Sequence, residues 1–430
     1  MLRADARHRG PRTPYNRRTM TRSLTIGAIL TACLCSLAAQ GTPSAPLVAI
    51  RAGRLLDVST REVRTNAVVV IENGRIRSID SAPPAGAEVI DLSQYTVAPG
   101  FIDAHTHALL QGDATSDDYD VQLLKESLPY RTLRATKALG IALDHGFTTI
   151  RDVGNEGAGF ADTDLKRAIN EGVIRGPRMF VATKALTPTG AYGLSGYAWE
   201  LDVPKGVQMC DGADACRQAV RDQIIHGADW IKVYADRSYY RTAEGRIRSL
   251  PNFTLDEMRA IVDQAHRTRK RVAAHSITPS GHEIALGAGV DSIEHGDVLD
   301  DAEIKTMVER GVFWCPTLTV GDFVAGPRSV TNPIWSALRD ASHDSFKRAY
   351  KAGVKIVVGT DAGGFDWDKI NEAEEFRRYV ALGMTNWDAL RSGTVVAAEL
   401  LDQVGTLGVI APGARADIVA MRDDPLKDIT

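Results

Sequence analysis

Two histidines separated by a single threonine, His105 and His107, follow a short apolar segment that begins after Pro99-Gly100. In a β-strand alternate side chains share a face, so Asp103 and both histidines are expected to point the same way. Two imidazoles on one face of a strand can bind the same metal ion. Short runs of this kind also arise by chance, so the interpretation depends on whether further ligands follow in the chain.

Four further groups suited to a metal site stand at the ends of strand-like segments: Lys232, His275, His295 and Asp361. Each has an ordinary alternative, since a single histidine is usually a structural hydrogen-bonding group and Asp361 can cap the helix after its glycine-rich turn. Lys232 differs because it lies between two apolar residues, and burying an unpaired ammonium is unfavourable. Burial lowers a lysine pKa by up to about 3–5 units, and the neutral amine can add carbon dioxide to form a carbamate that bridges two cations. The combined set favours a two-metal site.

The segments that carry these groups alternate with helical stretches such as Leu123–His145, Ala213–His226, Leu255–Lys270 and Ile334–Ala352. Eight alternations predict an α/β fold of the (β/α)8 TIM-barrel type, in which catalytic groups come from the carboxyl ends of the strands. A doubly wound sheet would need a glycine-rich phosphate turn after its first strand, and none is present. The predicted barrel strands are Phe101–His107, Thr148–Val153, Arg178–Leu186, Asp229–Asp236, Arg271–Ile277, Ser292–Gly296, Val312–Leu318 and Lys355–Ala362.

Short strand-like runs flank the predicted barrel on both sides. Residues 40–97 contain several, with a hairpin signal at Asn73-Gly74, and 406–430 add one more at Ala416–Met421. The second group is too small for a core of its own. We therefore predict a barrel domain over 98–405 and one small β-sandwich built from both chain ends.

The first 39 residues look like a signal peptide. Seven arginines and one acid precede or border the short apolar run Leu24–Leu37, and small residues near Ala38 suit cleavage. The run is shorter than the ~20 residues that a permanent membrane span needs. Export to the periplasm or medium is predicted, with lipoprotein processing at Cys33 and a twin-arginine route through Arg17-Arg18 as alternatives. The net charge of −3 over 430 residues argues against a nucleic-acid partner.

Two of the three cysteines that follow the predicted signal peptide, Cys210 and Cys216, are close in sequence. In an oxidising compartment they can close a small disulfide loop. Two unrelated thiols are an equally good interpretation, so the pairing stays open. A thiolate zinc site is not expected, because no partner pair follows.

Taken together, these motifs resemble the amidohydrolase superfamily. The resemblance is strongest to its exported branch of Xaa-Pro dipeptidase or prolidase-like enzymes, which includes ochratoxin-degrading amidohydrolases and is similar to imidazolonepropionase. It covers the chain from about residue 47 onward. The segments that carry it are Pro99–His107, Thr148–Asp152, Ile231–Tyr234, His275, Ile293–Gly296, Gly359–Gly363 and Pro412–Asp417.

The resemblance implies a role for each candidate ligand. His105, His107 and Asp361 would hold the more buried metal, His275 and His295 the outer one, and Lys232, carboxylated to N6-carboxylysine, would bridge them. The two divalent ions, most consistent with Zn²⁺ for a nitrogen-rich set, would share a bridging hydroxide that attacks the amide carbonyl. Asp361 would take the hydroxide proton and pass it to the leaving nitrogen.

Substrate contacts are predicted at two tyrosines. Tyr234 lies two residues after Lys232 and so shares its inward face, with a core tyrosine as the alternative. Tyr192 stands where relatives often have Gly-His-Gly, a departure that bears on specificity. The segment Arg237–Leu250 is expected to form a loop over the pocket, with a solvated face or an oligomer contact as alternatives. Relatives also continue through more strands, so the second part of the β domain is expected to be incomplete.

The predicted activity is metal-dependent hydrolysis of a peptide or peptide-like amide, with release of a C-terminal amino acid. Ochratoxin-type amides present the same bond. The alternatives are a cyclic amide hydrolase resembling imidazolonepropionase and a non-catalytic scaffold, which the six retained ligands disfavour. Small peptides or N-acyl amino acids are the expected substrates, and the resemblance implies a homo-oligomer.

Overall fold

A computed structural model of the protein describes residues 47–429. The predicted signal peptide over 1–39 lies outside the described residues. The strands are β1 (Val48–Asp57), β2 (Glu62–Glu72), β3 (Arg75–Asp80), β4 (Glu88–Pro99), β5 (Phe101–Thr106), β6 (Phe147–Asp152), β7 (Arg178–Val181), β8 (Leu186–Thr187), β9 (Gln208–Met209), β10 (Trp230–Tyr234), β11 (Asp236–Arg241), β12 (Ile247–Pro251), β13 (Arg271–Ser276), β14 (Ser292–His295), β15 (Phe313–Cys315), β16 (Lys355–Ile356) and β17 (Ile418–Met421).

Helices lie between these strands throughout the central part of the chain. They are α1 (Ser116–Lys125), α2 (Leu128–Asp144), α3 (Ala161–Asn170), α4 (Ala213–Ile225), α5 (Leu255–Arg267), α6 (Pro279–Ala288), α7 (Asp301–Arg310), α8 (Leu318–Ser329), α9 (Ile334–Ala352), α10 (Glu374–Ala381), α11 (Asn386–Ser392) and α12 (Val395–Leu400). None of the helices within 47–429 combines the length and apolar character needed to cross a bilayer.

The two ends of the described chain form one five-stranded sheet in the order β17-β4-β1-β2-β3. The turn at Asn73-Gly74, where both residues have positive φ, joins β2 to β3 as the sequence predicted. Strand β17 pairs antiparallel with β4, so a strand from the C-terminal side completes the unit. Apolar side chains such as Val69 and Val97 are buried in this sheet. The prediction of a small β domain drawn from both ends is confirmed, while its residue boundaries stay predictions.

Parallel strands with helices outside them form the (β/α)8 barrel, as predicted. Parallel pairing joins β5-β6-β7 and, separately, β8-β10-β13-β14-β15-β16. Backbone hydrogen bonds connect the two groups, from Asp229 N to Val181 O at 2.7 Å and from Ala104 N to Val358 O at 2.8 Å. The first and eighth strands therefore lie side by side, which brings the ends of distant segments to one rim.

Several segments differ from their predicted form. The eighth barrel strand, predicted over Lys355–Ala362, is regular only at β16, although its backbone still bonds to the first strand through Asp361 N and His105 O at 2.8 Å. The third barrel strand, predicted over Arg178–Leu186, is interrupted at Thr183, whose φ of 58° lies in the left-handed region, so that β7 and β8 are separate. The predicted helix Leu123–His145 is wrong as a single element, because α1 ends at Lys125 and α2 begins at Leu128. The Ser127 hydroxyl accepts from the Tyr130 backbone N–H at 3.4 Å and starts a new helix.

Cys210 and Cys216 are joined by a disulfide at the junction of β9 and α4, while Cys315 is a free buried thiol. We expect unfolded, unreduced protein lacking residues 1–39 to react with iodoacetamide at one thiol, and reduced protein to react at three. Mass spectrometry of the alkylated chain checks this. Three labels before reduction contradict the pairing, and a Cys315→Ser control carries no label until it is reduced.

Gly359 marks the closest approach of the eighth strand to the first. A Cβ here would overlap the Cys315 sulfur and lie 2.8 Å from the His105 Cβ. We expect Gly359→Ala to lower the free energy of unfolding by about 1–3 kcal/mol, measured by urea denaturation, because neither neighbour can retreat within the barrel. Gly140→Ala in helix α2 is the matched control, since its nearest neighbouring atom lies 3.7 Å away. Equal stability of the two variants would contradict the predicted overlap.

Candidate functional site

The carboxyl ends of the barrel strands surround a cavity of about 640 Å³. This volume is in the range of small-molecule sites. The cavity is lined by all six residues that were predicted as metal ligands: His105, His107, Lys232, His275, His295 and Asp361. The structure therefore brings together groups that are separated by up to 256 positions in the chain.

His105 has an imidazole nitrogen without a partner. Its Nδ1 donates to Glu294 Oε2 at 2.7 Å, which leaves a lone pair on Nε2. Within the described part of the chain this buried Nε2 has no hydrogen-bond partner. Glu294 is held in turn by Arg151, whose Nη2 donates to Glu294 Oε1 at 2.8 Å. A metal ligand needs this arrangement, with one nitrogen fixed by a carboxylate and the other free.

His107 and Asp361 complete a three-ligand group with His105. The Nδ1 of His107 donates to the Gly154 carbonyl at 2.7 Å, and its Nε2 lies 3.2 Å from Asp361 Oδ1. The ligand atoms of the three residues all lie within 4.8 Å of one another. Two imidazoles and a carboxylate are a suitable donor set for a divalent transition metal. The donor atoms of these three residues are therefore suited to binding a metal ion.

His275 and His295 lie next to this group. Their ring centroids are 4.6 Å apart, and His295 is 5.0 Å from His105. The Tyr239 hydroxyl lies 2.8 Å from His275 Nε2, and Thr317 Oγ1 lies 2.8 Å from His295 Nδ1. Each ring is oriented through one nitrogen, so His275 Nδ1 and His295 Nε2 remain for a second ion.

The protonation of these histidines follows from their burial and neighbours. Burial lowers the pKa of His295 to about 4 and takes those of His105 and His275 well below the usual range, with nearby cationic groups adding to the effect. Burial also acts to lower the pKa of His107, but the neighbouring Asp361 carboxylate has the larger effect and raises this pKa to about 9. Three of the four imidazoles are thus held neutral, the form that binds metal.

Lys232 is almost fully enclosed, with 1% of its surface exposed. Burial lowers the pKa of its ammonium, and the carboxylates of Glu294 and Asp361 partly offset this. Its strand β10 pairs with β13, which carries His275 at its end. The structure thus places this amine among the candidate ligands, as the sequence predicted.

Glu156 was not singled out by the sequence. This buried carboxylate accepts hydrogen bonds from Tyr119 and Tyr192 at 2.8 Å each, and from Tyr234 at 3.3 Å. The Tyr192 and Tyr234 rings stack with centroids 4.5 Å apart and line the cavity. Their hydroxyl hydrogens are directed to Glu156, and their part in substrate binding stays a prediction. Nothing in the local pattern around Glu156 signals this role, because its partners come from three distant segments.

The segment Arg237–Leu250, predicted as a loop over the pocket, is the antiparallel hairpin β11–β12. Arg237 and Tyr239 from its first strand line the cavity. Tyr239 lies in the segment that was predicted to cover the pocket, but its contact with His275 was not predicted, and Thr317 was not predicted at all. Glu294 could have been found there, since a carboxylate inside the short buried strand β14 needs a partner.

Known proteins resemble the chain over most of its length. The model of the "Amidohydrolase family" matches residues 96–430. Ochratoxinase from Aspergillus niger is 28% identical over 424 residues, covering 91% of this chain and 85% of the relative. Imidazolonepropionase from Streptomyces griseus is 26% identical over 384 residues, covering 83% of this chain and 85% of the relative. The crystal structure of a Xaa-Pro dipeptidase with methionine bound in its active site matches with a TM-score of 0.80 and 32% identity, covering 89% and 95%.

The hydrogen bond from His105 to Glu294 can be tested by substitution. We expect Glu294→Gln to weaken zinc binding by about 10–100-fold, because the neutral amide no longer holds the His105 tautomer and polarises its ring. Competition titration of the metal-free protein against a chromogenic chelator measures the affinity. Glu126→Gln removes a partly exposed partner of Arg134 and serves as the control. Unchanged affinity in Glu294→Gln would show that this carboxylate does not support metal binding.

Proposed function

Because the chain belongs to the amidohydrolase family, we propose that it is a metal-dependent hydrolase that cleaves a peptide or peptide-like amide and releases an amino acid with a free carboxylate. The observation that carries the proposal is the unpartnered Nε2 of His105, which faces a cavity lined by five further potential ligands. A buried imidazole lone pair in such a setting calls for a positive charge beside it.

The proposed metal ligands divide into two groups. His105, His107 and Asp361 would hold one ion, and His275 with His295 would hold a second. Lys232, as N6-carboxylysine, would add an anionic ligand, which its lowered pKa favours. We propose zinc because four of the donors are imidazoles. Two such ions supply Lewis acidity and lower the pKa of a bound water so that it attacks near neutral pH.

The chain itself supplies proton transfer and orientation. Asp361 has 15% of its side chain exposed to the cavity, whereas His105 has none. Nearby histidines outweigh burial and hold the pKa of its carboxyl well below the usual range, so it is ionised. We propose from its position at the cavity that it accepts the proton of the attacking water. We propose that it returns this proton to the leaving nitrogen.

The substrate class is supported by the relatives. Ochratoxinase and Xaa-Pro dipeptidase are named for amides that contain an amino acid, and methionine occupies the site of the second. We also propose that the protein acts outside the cytoplasm, which the Cys210–Cys216 disulfide supports, since such bonds persist in oxidising compartments.

The proposed function is tested by metal analysis and hydrolysis together. We expect purified protein supplied with zinc and bicarbonate to hold about two zinc ions per chain and to hydrolyse one class among Xaa-Pro, Xaa-Arg, Xaa-Phe and N-acyl-Phe. Lys232→Ala is expected to lose both properties, since the bridging anion is gone. Elemental analysis and amino-acid release are the measurements.

Lys305→Ala removes an exposed lysine and is the matched control. A thermal melt of each variant separates loss of the site from loss of the fold. Metal-free and inactive wild-type protein would overturn the proposal in favour of a scaffold. Hydrolysis of a cyclic amide alone, without amino-acid release, would assign the chain to a reaction like that of imidazolonepropionase.

A further inference from the structure

Arg237 brings a positive charge to the cavity wall, where the Asp113 carboxylate also lies. It is half-buried on β11 and lines the same cavity as His275 and Lys232. Its guanidinium lies over the ring of Tyr192, 4.4 Å from the centroid, and 5.5 Å from that of Tyr234. Within residues 47–429 it forms no ion pair and its side chain makes no hydrogen bond.

The other arginines near the cavity differ in this respect. Arg328 donates to the Asp113 carbonyl at 2.5 Å and lies 3.6 Å from the carboxylate of the same residue. Arg151 pairs with Glu294. A guanidinium has five donors in a planar fork, and stacking on an aromatic ring satisfies none of them. The donors of Arg237 are therefore available to an anion that enters the cavity.

The backbone beside Arg237 is fixed rather than free. The carboxylate of the preceding residue, Asp236, accepts from Ser249 Oγ at 2.6 Å and from the backbone N–H groups of Ile277 and Thr278 at 3.0 Å each. These bonds tie the start of the hairpin to the end of β13, which carries His275. The backbone at the start of the hairpin is thus fixed before any ligand arrives, and the Tyr192 ring packs against the guanidinium, conditions that favour tight recognition.

We propose that Arg237 is the receptor for the free α-carboxylate of the substrate and so determines specificity for amides that end in an amino acid. The inference rests on the proposed function and names the group that recognises its substrate class. A planar fork matches a carboxylate through two parallel hydrogen bonds. The hydroxyl hydrogens of Tyr192 and Tyr234 are already engaged with Glu156, whereas the fork of Arg237 is available to this anion.

The test compares the best acidic substrate of the panel with its decarboxylated analogue, for example N-acetyl-phenylalanine with N-acetyl-phenethylamine. Both contain the same amide bond, and only the first has the carboxylate. We expect Arg237→Met to lower kcat/KM for the acid by about 100-fold, chiefly through KM, and to leave that for the analogue within about threefold. Arg237→Lys keeps the charge without the planar fork, so its kcat/KM for the acid is expected to lie between those of the wild type and Arg237→Met.

Arg241→Met is the matched control, because Arg241 is exposed on the same hairpin and its side chain donates to the Gly245 carbonyl. Equal losses on acid and analogue in Arg237→Met would overturn the inference and leave Arg237 as a support for the tyrosine stack. Unchanged hydrolysis of the acid would also overturn it, since the carboxylate would then bind elsewhere.

A binding measurement separates this inference from the proposed function. Calorimetry on zinc-loaded protein compares phenylalanine with phenethylamine for wild type and Arg237→Met. Preference of wild type for phenylalanine, lost in the variant, supports the receptor even if no amide in the panel is hydrolysed. Equal binding of phenylalanine by both proteins rejects Arg237 whether or not hydrolysis is seen.

Discussion

The candidate site depends on one buried chain of hydrogen bonds between charged groups, which runs from Arg151 through Glu294 to His105. Both Glu294 and Arg151 are fully enclosed, which is tolerated because each satisfies the other. The second carboxylate oxygen of Glu294 accepts from His105 Nδ1, so the same buried ion pair sets the tautomer of the first candidate ligand. Arg151 also stacks on Trp230, 4.4 Å from its ring centroid. Without this chain the His105 ring would have no fixed direction.

The barrel rim adds a second constraint, which is backbone geometry. His295, Thr317 and Asp361 have φ of 69°, 50° and 58°, in the left-handed region that side chains other than glycine seldom adopt. Such conformations cost about 1–3 kcal/mol each and persist only where the surroundings enforce them. His295 ends β14, while Thr317 and Asp361 follow β15 and β16, and His295 and Asp361 are candidate ligands. The turn out of the strand directs their side chains across the cavity.

Local patterns were sufficient for much of this protein. The alternation of strand and helix predicted the barrel, the spacing of His105 and His107 predicted a shared face, and the apolar neighbours of Lys232 predicted its burial. Local patterns did not predict the features that depend on contacts between distant parts of the chain. The break at Thr183 follows from its backbone N–H bonding to Asp162 at 2.9 Å, and Glu156 has meaning only beside tyrosines from distant segments.

The sequence alone determined the order of the elements and the set of candidate ligands, because strand periodicity and residue chemistry are local properties. The tertiary structure decided which nitrogen of each candidate histidine ligand is engaged, which carboxylates are paired, and that Arg237 lines the cavity without an ion pair to any residue within 47–429. These facts depend on distances between strands far apart in the chain. Hydrogen bonds and ion pairs form only when folding brings their partners within about 3 Å, and no spacing in the sequence encodes that.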